Sequence, residues 1–229
     1  MSGGMPMPGG WVMSMAWMRM GGQTWLGAST TFMGMWIVMM GAMMLPSLVP
    51  MLADYRRSVR EAGETRATHL TWLTTLAGSA YFFVWAVFGA AAYPLGVFLA
   101  VAEMRWAPLA RAVPVATGGV LLIAGWFQRS EWKTRRLARC RDAAACAAMR
   151  AVDARSAWRC GLRLGLDCAL CCSSLIATLL VGGVMDIGVM ALVAAAITAE
   201  RLAPNPGRTA GAIGVIVMVV GAVAIARAL

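Results

Sequence analysis

Residues 31–53 read TFMGMWIVMMGAMMLPSLVPMLA. No side chain in this stretch is charged, and its length matches the about 20 helical residues that cross a bilayer core. It therefore reads as a transmembrane helix, and it is not isolated. Hydrophobic residues make up 60% of the 229-residue chain and charged residues only 13%, a ratio soluble domains rarely reach. Four more apolar runs follow: one within 70–102, which tilts or breaks near Pro94, then about 109–127, about Gly161 to Ala199, and about 210–227. The run from Gly161 is long for one crossing, so tilt or a kink is expected at Gly182-Gly183. The fold class is an all-α polytopic bundle of about five spans. One helical domain covers 31–229, after an external tail at 1–30 rich in Met, Gly and Trp. That tail has no charged n-region and is broken by Gly and Pro, so it is not a standard signal peptide.

Charge placement orients the bundle. The formal net charge is +10, but the basic residues gather in two segments. One holds Arg56, Arg57, Arg60 and Arg66; the other, a basic loop at 129–160, carries nine Lys and Arg side chains beginning with Arg129 and Lys133. The alternate loops hold only Arg105 and Arg111, then Arg201 and Arg208. Cytoplasmic loops are the basic ones, which places the N-terminus outside and the C-terminus inside. Such charge meets anionic lipid rather than nucleic acid. The loop at 129–160 is rich in Ala and Arg and is expected to form amphipathic helices on the inner surface.

Two residue types are unusually placed. The chain has 19 Met and 6 Cys. Met40, Met43 and Met44 stand at i, i+3 and i+4, so they share one face of the first span. Cys168, Cys171 and Cys172 repeat that spacing in the fourth, with Asp167 one turn from Cys171. Thioethers and thiolates are soft ligands that select Cu(I) and also suit zinc. Both residue types also serve as plain packing groups. Met44 lies ten residues from the inner end marked by Asp54, and Cys171 ten from the end near Gly161. At about 1.5 Å per residue both sit about 15 Å deep, so Met43 or Met44 is expected to approach Cys171 or Cys172. Asp186, within the fourth apolar run, is costly in a membrane and so a candidate ligand with Met185, or a proton carrier; a hydrogen bond to a neighbouring helix is the other reading. A single histidine and no P-loop or Ser-His-Asp set argue against an enzyme or an ATP-driven pump.

Residues 35–47, MWIVMMGAMMLPS, resemble the signature of a bacterial family of predicted metal-binding integral membrane proteins, domain of unknown function 2182. Gly125-Trp126-Phe127-Gln128 with Lys133, then Cys140-Arg141, is similar to its inner-loop motif. Trp158, Gly161 to Gly165 and the three cysteines are similar to its cysteine motif, and Gly183-Val184-Met185 and Glu200-Arg201 complete the likeness over about 33–215. Arg136 and Leu137 stand where members usually carry another cysteine, and Leu164 where a histidine is frequent. Members are sometimes described as copper chaperones. The resemblance implies a membrane protein of the bacterial inner membrane that takes Cu(I), with zinc as a second ion, through these Met and Cys residues. The alternative is a non-catalytic structural or assembly subunit of a larger membrane complex, or a homo-oligomer, in which Met and Cys only pack.

Overall fold

The computed structural model describes residues 4–6, 12–14, 17, 22–61, 66–141, 153–184 and 186–228. Among them are two short strands, β1 (Gly4–Pro6) and β2 (Val12–Ser14), and seven helices: α1 (Trp25–Glu61), α2 (Ala67–Arg105), α3 (Ala107–Gln128), α4 (Glu131–Arg141), α5 (Ala154–Gly182), α6 (Ile187–Leu202) and α7 (Pro206–Ala228). The strands pair antiparallel, with Met5 opposite Met13. Helices α1, α2, α3, α5 and α7 are the five long and apolar enough to cross a membrane. The tail at 1–30 thus differs from a loose segment in two respects. Its strands pair, and α1 already begins at Trp25.

Sequence explains the helix boundaries. Asp153 caps α5, its side chain accepting from the Ser156 backbone amide. The Ser156 hydroxyl donates to the same carboxylate at 2.6 Å, and that bond holds the Asp153 carboxyl below the usual carboxylate range. Pro46, Pro50 and Pro94 all lie inside continuous helices, so α2 does not break at Pro94.

The run 161–199 does not form one kinked span. Helix α5 ends at Gly182, Gly183 takes φ 116°, and Asp186 caps the start of α6. Only glycine adopts that backbone region easily, so the chain reverses there. Arg201, near the end of α6, reaches Cys168 and Cys172 of α5, while Val189 at its start lies against Gly182. The two helices therefore form an antiparallel hairpin. Helix α7 then runs antiparallel to α3, with Gly214 opposite Gly125 and Gly221 opposite Gly118. Ala224, near the end of α7, lines the same cavity as Trp17, Gly182 and Gly183. Trp17 and the end of α7 thus lie at the same end of the bundle as the α5–α6 turn. Arg201 and Arg208 consequently move to the end that carries α4, where Gly207 packs beside Thr134.

Small residues set the helix spacing. A Cβ added at Gly214 would stand 2.6 Å from the Gly125 carbonyl oxygen, and one at Gly221 2.9 Å from that of Gly118. A Cβ at Gly161 would overlap the Ala77 carbonyl, which brings α5 close to α2. Lipid tails are as apolar as Leu, so helices in a membrane associate through such close contacts and through hydrogen bonds. The core holds Phe32, Trp36, the Met of α1, Tyr81, Trp85, Cys168 and Cys172. Trp36 donates its indole N–H to the Trp85 carbonyl at 2.9 Å, which ties α1 to α2.

Two measurements check this architecture. Topology reporters fused to the two ends of the chain will report the same side; opposite sides would remove the α5–α6 hairpin. Gly125→Val will lower stability in detergent by about 1–3 kcal/mol through overpacking. Gly119→Val, where an added Cβ meets nothing within 4 Å, will leave the thermal midpoint nearly unchanged.

Candidate metal centre

Met44 and Cys168 meet inside the bundle. Their sulfurs lie 3.8 Å apart, on side chains that are fully buried. The first and fourth spans thus meet at Cys168 rather than at the expected Cys171 or Cys172, one turn nearer the start of α5. Tyr81 of α2 shares a 3.0 Å hydrogen bond with the Cys168 sulfur. The Cys172 thiol interacts with those of Cys168 and Cys171. Cys171 itself turns toward α4 and packs on Leu137. None of the three is in a disulfide, whereas Cys160 is disulfide-bonded. Met40 and Met43 lie in the same buried core as Cys168 and Cys172.

The other candidate ligands separate from this group. Asp167 faces α4, where Arg136 pairs with it at 3.1 Å in a partly exposed position. Asp186 is exposed and accepts from the Val189 amide at 3.0 Å, as the cap that starts α6. Met185 lies outside the described residues. Among the described residues no group of three or more His, Cys, Asp and Glu is placed to hold a metal ion. A centre built here draws on thioethers as well as thiols.

A residue the spacing of Met and Cys did not reveal dominates the centre. Arg201 is 7% exposed. Its Nη2 donates to the Cys168 sulfur at 2.9 Å and lies 3.8 Å from that of Cys172. Its Nη1 reaches the Met51 sulfur at 3.4 Å. A guanidinium thus stands among three sulfurs from α1 and α5.

Beside it runs a buried polar network. Lys133 of α4 pairs with Glu200 of α6 at 2.8 Å, with side chains 0% and 2% exposed. Gln128 of α3 donates to Glu200 and accepts from Lys133, and it accepts from the Ser174 hydroxyl at 2.7 Å. Four helices meet at these four side chains. Glu200 and Arg201 are neighbours at the end of an apolar run and Lys133 is one of many cations in a basic loop, so only the first pair carried a visible signal: charge where the chain is otherwise apolar. Removing one partner of a buried ion pair leaves the other uncompensated, at a cost of about 3–5 kcal/mol. Lys133→Met will therefore lower the thermal midpoint sharply, and adding Glu200→Gln will restore much of the loss; equal losses in the single and double variants would deny the pairing.

No curated protein and no solved structure matches the chain. A family profile described as copper chaperone matches residues 33–224, a span from the first Met of α1 to the last turns of α7. With most of its length inside that match, including Met44, Met51, Cys168, Cys172 and Arg201, the chain belongs to the PpoB2 copper chaperone family.

Proposed function

We propose that the protein is an integral membrane carrier that holds Cu(I) as cargo on Cys168 and Cys172, with Met44 and Met51 as flanking thioethers. The approach of Met44 to Cys168 across two helices carries this reading. Cu(I) takes two or three soft ligands, and a thiolate pair with a thioether beside it is such a set. Cys171, reached through Cys172, extends the set toward α4. Thioethers bind more weakly than thiolates, so a Met-lined approach and a Cys-lined holding point form a downhill order. Zinc fits less well, because the centre offers neither imidazole nor a carboxylate in reach of the thiols. The family description supports copper and a role as carrier rather than catalyst.

The five long apolar helices support a place in the bilayer, and large apolar side chains such as Phe98, Ile123 and Leu192 face outward, as lipid contact requires. The end bearing α4, Arg201 and Arg208 is taken as cytoplasmic, by the basic-loop rule. Both termini and the α5–α6 turn then lie on the outer side of the bacterial inner membrane. An assembly subunit remains the second reading, favoured by the Arg201 guanidinium already occupying the space among the sulfurs.

Copper titration decides between them. The detergent-purified protein, kept reduced, will bind about one Cu(I) against a chromophoric chelator, in line with one cluster of soft ligands. Cys168→Ser with Cys172→Ser will abolish that binding, and Met44→Leu will weaken it without abolishing it. Absence of copper from the wild type, with stoichiometric co-purifying subunits, would favour the assembly role.

A further inference from the structure

A sulfur that is to bind a metal must present a free lone pair to it. Cys168 does not. Met44, Tyr81 and Arg201 approach its sulfur at 3.8, 3.0 and 2.9 Å. Met44 would be a co-ligand, and Tyr81 is a short, ring-stiffened side chain fixed in the core. Arg201 alone of the three is cationic, long and multiply jointed. Its two terminal nitrogens lie toward Cys168, Cys172 and Met51, and so fill the space a soft cation would take.

We infer that Arg201 is a built-in competitor of the cargo, a cationic plug whose guanidinium must leave the sulfurs before Cu(I) can occupy them. The inference rests on the copper-carrying role of this same cluster. A guanidinium and Cu(I) would each answer the same thiolate charge, and a sulfur lone pair held by an N–H of Arg201 is not open to the ion. The plug therefore sets a threshold. A soft ion that bonds strongly to thiolate displaces it, and a harder ion does not. It also limits how tightly the cargo is held, because the guanidinium returns to the sulfurs when the ion leaves. Affinity that is restrained in this way suits a carrier that must hand its ion on.

Arg201 follows Glu200 in the chain but is no member of the Lys133–Glu200 pair. The charge network next to it is self-contained, with Glu200 answered by Lys133 and Gln128. Withdrawal of Arg201 from the sulfurs consequently leaves that ion pair intact. The plug also stands between Cys168 and Met51, the sulfur on the side of α1 nearer its basic end, so its position bears on passage as well as on affinity.

Cu(I) binding is measured by chelator competition in full-length wild type, Arg201→Met, Arg201→Gln and Arg201→Lys, each checked for helix content and a single elution peak in detergent. The plug predicts that Arg201→Met or Arg201→Gln binds Cu(I) at least about tenfold tighter, whereas Arg201→Lys, which keeps the charge, stays near wild type. Two uncharged variants are used so that misfolding of one leaves the other to decide. Tighter binding in the uncharged variants upholds the plug, even if the wild type binds nothing. Equal or weaker binding overturns it, and a wild type that still binds then leaves the carrier role standing. If neither wild type nor variants bind Cu(I), both the plug and the carrier role fail.

Discussion

Charge buried in an apolar surrounding has to be answered within the protein, and here that constraint is met by Lys133 and Glu200. Their pairing has consequences well beyond two side chains. Glu200 sits on α6, so the pair pulls α6 back beside α5 and against α4. Gln128 and Ser174 complete the contacts from α3 and α5. The next residue on α6 is Arg201, and its position among the sulfurs follows from that anchorage.

The sulfur cluster depends in turn on close helix approach. Gly161 and Gly165 bring α5 against Ala77, Tyr81 and Val84 of α2, which sets Tyr81 at the Cys168 thiol. The methionines of α1 then fill the remaining space. An unbranched thioether adapts to an irregular gap, so Met serves packing and ligation at once. The same side chains can therefore build a core and hold a soft ion, without the clusters of histidine and carboxylate that mark harder metal sites.

Much of this was legible in advance. Spans one, two, three and five follow from apolar runs bounded by charge, and α1, α2, α3 and α7 keep close to those bounds. Depth counting paired Met43 or Met44 with Cys171 or Cys172, and Met44 meets Cys168 instead, one turn away, because the rise per residue fixes depth in a helix but not the face a side chain takes. The α5–α6 hairpin was not legible. Its turn is short and carries a single charge, Asp186, so hydropathy runs through it unbroken. Gly182-Gly183 marked the place, but a glycine pair is compatible with a kink or with a reversal. Asp186 drew notice as a charge in a membrane segment, and its role as a helix cap appears only once the turn is seen. Arg201 was counted as a loop cation, since side-chain direction is invisible to a count of charges.

By itself, the sequence determined the all-helical class, the places of four of the five long apolar helices and the two groups of Met and Cys side chains, because hydropathy, helical periodicity and residue chemistry are local properties. The tertiary structure decided the return of α6, the meeting of Trp17 with the end of α7 at one cavity, the choice of Cys168 as the partner of Met44, and the presence of Arg201 among the sulfurs. Those depend on one backbone reversal at Gly183 and on a charge pair between residues far apart in the chain, and no local pattern encodes which distant charge a buried carboxylate will meet.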